Sequence, residues 1–107
     1  MRIFDFMSYG ERYKGYLQRN TYANNNNIAI DIVCIDKNGE HEPWCNLTTN
    51  IIPLANNLAV IDTNHLQGSN VLDVLVNEGL LKETGKGVRS GFCVYPVYEI
   101  VNIEEWC

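Results

Sequence analysis

The chain has 107 residues, of which 46% are hydrophobic and 20% are charged. This composition is typical of a globular protein and excludes a disordered one, and the length predicts a single domain over residues 1–107. Eight Lys and Arg residues against thirteen Asp and Glu residues give a net charge of −5 at neutral pH. Because nucleic-acid backbones are bound by basic surfaces, we expect no direct binding to a nucleic-acid backbone.

The N-terminus contains Asp5 and Glu11 and lacks the apolar run of a signal peptide. No segment approaches the roughly 18 apolar residues that span a membrane. The sequence therefore predicts a cytoplasmic protein without a membrane partner.

The four cysteines show neither a C-x-x-C pair nor the spacing of metal ligands. Most lie in strand-like segments, where a thiol packs as a small hydrophobic group. We therefore interpret them as buried free thiols and expect no metal and no cofactor. Cys34 and Cys45 lie diagonally across a predicted hairpin, but a reducing compartment would oppose a disulfide between them.

The first half of the chain has the residue pattern of β-strands. Residues 3–7 alternate in hydrophobicity, and residues 13–22 are rich in aromatic residues, with Gly15 marking a bulge or a close approach. The asparagines at 24–27 predict a turn, because Asn tolerates left-handed backbone angles.

A β-hairpin is predicted around the Asn-Gly pair at residues 38–39, which favours a two-residue type I′ turn. Closing that turn places Asp36 opposite His41 as a solvated pair and Ile32 opposite Cys45.

Residues 58–62 predict a further strand, and a short helix follows it. Ser69 or Asn70 is the expected cap of this helix, and Gly79 is the expected glycine at its end. The glycine-punctuated stretch 82–91 predicts a flexible loop.

The final strand is predicted over residues 92–101, where Pro96 indicates an edge strand or a bulge. The acidic tail after it carries Trp106, which we expect to be exposed. Together the elements predict an α+β fold, with a mainly antiparallel sheet of about five strands and one short helix packed on one face.

Two predicted strands end in short polar side chains. Thr49 and Asn50 follow the second hairpin strand, and Asp62, Thr63 and Asn64 follow the next strand. One interpretation is that these side chains cap turns by bonding their own backbone. The functional interpretation is a shared rim of donors and acceptors for a polar ligand.

The glycine-punctuated stretch does not match a phosphate-binding P-loop, since its glycines are spaced wrongly and a glycine replaces the Mg²⁺-binding Ser or Thr. A looser hypothesis is that its backbone amides, with Lys86 and Arg89, receive an anion. The alternative is a mobile connector.

Four aromatic residues offer flat surfaces that could stack on a base or anchor a protein: Tyr95, Tyr98, Trp106 and Trp44, the last placed on the outer face of the hairpin. The alternative is that they belong to the core. A further hypothesis pairs Cys93 or Ser90 with His65 as a nucleophile and its base.

Several short motifs occur in a fixed order: LTTN at 47–50, AVIDTN at 59–64, EGL at 78–80, TGK at 84–86 and SGFCVYPVYE at 90–99. This set resembles domain-of-unknown-function family 4313, small proteins of bacteria, phages and conjugative elements. The resemblance brings no activity and no catalytic residue. It implies a phage or mobile-element context, and hence the host cytoplasm as the location of a phage-encoded chain.

We therefore predict a small non-enzymatic binding protein that inhibits a bacterial defence system, anti-CRISPR or similar, by binding a protein complex or a nucleotide signal. A protein partner is the leading hypothesis, and a nucleotide ligand and an oligomer are the others. The alternative functions are a small Cys/Ser hydrolase and a structural or assembly protein acting through sheet-edge dimerisation.

Overall fold

The computed structural model describes residues 2–55 and 57–106. Within them the chain forms two antiparallel sheets. The first contains β1 (Phe4–Ser8), β2 (Glu11–Thr21), β3 (Ile28–Ile35) and β4 (His41–Asn46), in that order across the sheet. The second contains β5 (Leu58–Val60), β6 (Leu81–Ser90) and β7 (Cys93–Ile100), with β7 in the middle. The helix α1 spans Val71–Asn77, and two 3-10 segments span Thr63–Leu66 and Ile103–Glu105.

These elements confirm a mainly antiparallel α+β protein with one helix in its described part. The prediction of about five strands in one sheet is wrong, because the described residues form seven strands in two sheets. Much of the difference comes from residues 82–91, which we expected to be a loop and which lie almost entirely in β6.

The glycine in β2 permits a close approach between strands, as the sequence predicts. A Cβ atom on Gly15 would lie 2.8 Å from the Val33 carbonyl oxygen on β3. This distance is shorter than any normal contact, so only glycine fits here without a shift of the backbone.

The β3–β4 hairpin closes with a three-residue loop over 37–39 instead of the predicted two-residue turn. Asp36 pairs with Glu40 through the backbone, and its carboxylate accepts the amides of Asn38 (2.8 Å) and Glu40 (2.9 Å). Because the loop is one residue longer, His41 lies opposite Ile35, and the predicted Asp36–His41 pair is wrong.

A bulge at Trp44 restores the register, so that Ile32 lies opposite Cys45 as predicted. The bulge also turns the Trp44 ring into the core face, 4.8 Å from the Phe6 ring and 6.0 Å from the Tyr13 ring. The expectation that Trp44 lies on the outer face is therefore wrong, because an extra residue reverses the alternation of side chains.

A second bulge explains the glycine-rich sequence of β6. The register against β7 shifts between Glu83 and Lys86, and Gly85 has a φ of +76°. The Thr84 hydroxyl bridges the gap, donating to the Val97 carbonyl (2.6 Å) and accepting from the Lys86 amide (3.1 Å). The glycines therefore mark a bulged strand and not a loop.

Pro96 lies on the middle strand of its sheet, but at a point where it does not interrupt the pairing with β6. Its carbonyl accepts from the Ile61 amide at 3.0 Å, on the side away from β6. The nitrogen and carbonyl of one strand residue point the same way, so the missing N–H also faces away from β6. β5 ends at Val60, beside this point.

One buried cluster joins the two sheets and the helix. It includes Phe6 and Ile30 from the first sheet, Tyr98 from the second and Leu75 from α1. Trp106 belongs to the same cluster and is only 6% exposed, which corrects the expectation of an exposed tail. The apolar area of an indole ring outweighs the acidic residues around it in sequence.

The predicted glycine at the end of the helix is confirmed, and at the start Asn70 occupies the N-cap position without a side-chain capping bond. The Ser69 hydroxyl accepts from the Val71 amide at 3.1 Å, and Gly79 has the left-handed φ of +75° that follows many helix ends. The Asn70 side chain instead accepts from the Met7 amide at 2.8 Å, which ties the start of α1 to β1.

Candidate functional site

The two polar strand ends meet in the fold. Thr48 pairs with Ile61, the Thr49 amide donates to the Val60 carbonyl (3.0 Å), and the Asp62 amide donates to the Leu47 carbonyl (2.9 Å). These contacts join the end of the first sheet to the end of β5. We call the polar side chains of residues 48–50 and 62–64 the rim.

Most rim side chains bond to nearby parts of the protein. The Asp62 carboxylate accepts the Asn64 amide at 3.1 Å and caps the 3-10 segment that follows. The Asn50 amide group bonds to Asn24, Asn25 and Asn27. Since these bonds use the polar atoms locally, the rim supports turn capping more strongly than recognition of a ligand.

Asn27 is the centre of this asparagine network. Its side chain donates to the Asn50 side chain (3.0 Å) and to the Ile52 carbonyl (2.6 Å), and it accepts from the Leu54 amide (3.0 Å). The residue is 8% exposed, so its amide satisfies backbone groups that water reaches poorly. The asparagine run therefore holds the segment after Asn50 against the first sheet.

His65 does not form the nucleophile–base pair of the hydrolase hypothesis. Its Nδ1 donates to the Asn46 carbonyl at 2.9 Å, and its Nε2 lies 3.5 Å from an Asp62 carboxylate oxygen. Over residues 2–55 and 57–106, neither ring nitrogen bonds to Cys93 or Ser90. The arrangement holds the imidazole at the rim.

The two predicted tyrosines have different environments. Tyr98 is 7% exposed and belongs to the core, where its hydroxyl donates to Glu83 (3.3 Å) and burial raises its pKa. Tyr95 is half-buried and accepts a hydrogen bond from the Asn64 side chain (3.2 Å), while its interaction with the Cys93 side chain raises its pKa. Only Tyr95 therefore lies beside the rim.

Lys86 and Arg89 lie on a two-stranded ribbon formed by residues 86–96, which extends past the end of β5. Both side chains are exposed. Along an extended strand, alternate amides are spaced roughly 6–7 Å apart. The amides of Gly85, Gly87 and Gly91 are therefore spread along the chain and do not form the convergent anion site that we expected of a loop.

The ribbon carries exposed apolar residues that the sequence analysis did not single out. Phe92, in the turn, is fully exposed, and Val94 is 63% exposed. Apolar residues in a strand are normally buried. Here residues 92–96 lie beyond the point where β5 ends, and Phe92 and Val94 are exposed. No residue pattern within 92–96 distinguishes a covered strand from an uncovered one.

The described thiols fall into two classes. Cys34 and Cys45 are half-buried, and burial raises their pKa to about 11 and about 12, respectively. Cys93 is exposed, so its predicted burial is wrong. Cys107 lies outside the described residues. All three described thiols are free, including the Cys34–Cys45 pair.

A groove of about 560 Å³ opens beside the β3–β4 turn, with Trp44 and Pro43 among its apolar walls. Nearby, Asp36, Glu40 and Glu42 bring carboxylate oxygens within 4.8 Å of one another. All three are exposed, and Asp36 already holds the turn through two amides. We assign no ligand to this cluster.

Two free sheet edges are obstructed. On β1, Met7 exchanges hydrogen bonds with Asn70 on its outer side. On β6, the bulge at Thr84 interrupts the edge, and Lys86 and Arg89 add charge to it. Such features prevent edge-to-edge pairing in many sheet proteins, so they disfavour a dimer through either of these two edges.

A comparison with protein families matches residues 16–106 to the Domain of unknown function (DUF4313). The chain belongs to the DUF4313 family. The match confirms the resemblance drawn from the ordered motifs, and it includes the ribbon and the rim of this DUF4313 protein. The curated proteins and the solved structures contain no match. No helix in the described part of the chain is long and apolar enough to cross a membrane.

Proposed function

We propose that this DUF4313 protein is a non-enzymatic binding protein of a phage or mobile element, which inhibits a bacterial defence system such as CRISPR by binding one of its proteins. The observation that carries the proposal is the exposed apolar end of the ribbon. Phe92 is fully exposed and Val94 largely so, in a chain whose other large apolar side chains are mostly buried.

The energetics of apolar surface favour a protein partner for the ribbon. Burying one Phe or Val side chain contributes roughly 1.5–3 kcal/mol, and the isolated chain does not gain this for Phe92. Aromatic residues at exposed positions are typical anchors of protein interfaces. A nucleotide signal, the other predicted partner class, would favour convergent polar groups, and the rim groups are largely engaged within the protein.

The proposal is tested by phage survival in a host that carries an active defence system. We expect expression of the wild-type protein to raise the number of plaques, and the Phe92→Ala variant to lose most of this effect. Ile52→Ala is the matched control, because Ile52 is also apolar and exposed (41%) but lies outside the ribbon. No protection by the wild-type protein across defended hosts would overturn the defence role.

A further inference from the structure

The ribbon differs in charge from the rest of the molecule. Residues 84–98 contain Lys86 and Arg89 and no acidic residue. With a total of −5 for the chain, the remaining residues carry −7. Within the described residues, neither ribbon cation forms an ion pair, since the ion pairs there involve only Arg2 and His65. The ribbon is therefore a cationic projection from an acidic body.

The ribbon is also ordered before any partner binds. Backbone pairing between its two strands continues up to Ser90 and Cys93, the residues on either side of the turn. The missing side chain of Gly87 makes room for Val94, since a Cβ there would lie 2.8 Å from the valine Cγ1. A preformed surface loses little conformational entropy on binding, which favours its use in recognition.

Both faces of the ribbon combine a cation with an apolar group. Cross-strand pairing places Arg89 with Val94 on one face, whereas Val88 lies with Tyr95 on the other. Lys86 alternates with Gly87 and so shares the face of Val88. Phe92 lies at the turn between them. A partner that contacts the ribbon from one side would leave half of these groups exposed.

We propose that the binding partner presents an apolar cleft with an acidic rim, into which the ribbon inserts end-on. This inference rests on the proposed function and adds the chemistry of the partner. Phe92 and Val94 would fill the cleft, and Lys86 and Arg89 would meet its carboxylates. The acidic body of the chain repels an acidic partner elsewhere, so the charge distribution also orients the approach ribbon-first.

The same features disfavour a lipid surface. Stable attachment to a membrane requires a long apolar anchor or a polybasic patch beside one, and the ribbon offers one fully exposed aromatic residue, Phe92, and two cations. The −7 of the remaining chain would also be repelled by anionic lipid. Vesicles containing about 30% phosphatidylserine serve as the lipid arm of the test.

The test is a selection of random twelve-residue peptides displayed on phage against the purified wild-type protein. A counter-selection against the Lys86→Glu/Arg89→Glu variant removes peptides that bind elsewhere. We expect the enriched peptides to contain both acidic and large apolar residues. Neutral or basic peptides, no enrichment, binding to the vesicles, or self-association through the ribbon would each overturn the proposal.

Calorimetry with the most enriched peptide gives the quantitative form of the test. We expect Lys86→Glu/Arg89→Glu and Phe92→Ala each to weaken binding at least about tenfold, because each removes one half of the recognition. The control Lys14→Glu/Lys37→Glu makes the same charge change at exposed positions outside the ribbon and should alter binding less than about twofold. Equal losses from both charge reversals would show that only net charge matters and would overturn the proposal.

The phage assay separates the two proposals. Suppose that Lys86→Glu/Arg89→Glu protects phage as well as the wild type while Phe92→Ala does not. The proposal that the partner has an acidic rim is then wrong, and the proposed binding function is retained. If the wild type gives no protection but the acidic peptides bind through the ribbon, the defence role is wrong and the surface stands.

Discussion

At the scale of single residues, one buried amide gives the asparagine run its role. Asn27 bonds to the Asn50 side chain and to two backbone groups, the Ile52 carbonyl and the Leu54 amide. Neighbouring asparagines are more exposed and adaptable. In the sequence the four asparagines look equivalent, and the burial of Asn27 in the fold distinguishes it from the other three.

Replacing Asn27 with Ala should lower the free energy of unfolding by about 1–3 kcal/mol, because two partly buried backbone groups lose their partners. Urea denaturation followed by circular dichroism measures the change. Asn24→Ala, at an exposed position of the same run, should change the stability by less than about 0.5 kcal/mol. Equal effects of the two substitutions would contradict this role for Asn27.

The thiols provide a pH-dependent prediction. The pKa values of Cys34 and Cys45 are raised from 9.0 to about 11 and about 12, so both remain protonated and unreactive near neutral pH. Stability from these buried neutral thiols is fully present below pH 9 and is lost as the pH rises toward 11–12, because the unfolded thiols ionise first.

Alkylation with iodoacetamide at neutral pH should therefore modify Cys93 first, with Cys34 and Cys45 protected until the protein unfolds. Peptide mass spectrometry of a Cys107→Ser variant assigns each site. Alkaline titration followed by circular dichroism should show a loss of stability above pH 9 that Cys34→Ala/Cys45→Ala reduces. Modification of Cys45 as fast as Cys93 in the folded protein would contradict the account.

At the scale of secondary-structure elements, the sequence predicted β1, β2, the start and end of α1 and the Ile32–Cys45 pairing. It did not predict the features that an extra residue introduces, which are the longer β3–β4 loop and the bulges in β4 and β6. The Asn-Gly pair permits both a two-residue and a three-residue loop, and the carboxylate of Asp36 selects the longer one by accepting two amides. Such a side-chain bond is not visible in a pattern of hydrophobic residues.

The prediction of a loop around Thr84 is wrong for a similar reason. Glycines at bulges and glycines in loops have the same local signature, and the distinction lies in the partner strand. Here the Thr84 hydroxyl takes the place of a missing backbone pair. The candidate site was affected in turn, because Lys86 and Arg89 lie on a paired ribbon instead of a loop.

Replacing Thr84 with Val keeps the shape of the side chain and removes both hydrogen bonds of the bulge. We expect the free energy of unfolding to fall by about 1–2 kcal/mol and the Lys86 amide to exchange its hydrogen faster. Hydrogen exchange followed by NMR measures both effects. Thr63→Val is the control, since Thr63 is also half-buried and its side chain forms no hydrogen bond within the described residues. An unchanged exchange rate at Lys86 would contradict the bridging role.

At the scale of the whole molecule, the two sheets share one buried cluster, and the ribbon extends past the end of β5. The sequence predicted the fold class and the meeting of the two polar strand ends. It did not predict that Phe92 and Val94 would remain uncovered, because the burial of side chains on a sheet depends on the elements that pack over its faces and not on the residues of the strand themselves. The functional surface is therefore a property of the assembled fold.

Site-specific photocrosslinking in cells shows whether the ribbon binds a protein of the host. A p-benzoylphenylalanine residue replaces Phe92 in one strain and Ile52 in another, and both are irradiated in cells of a defended host. We predict a discrete adduct with one host protein from position 92 and none from position 52. The absence of an adduct at position 92, or the same adducts from both positions, would contradict the claim.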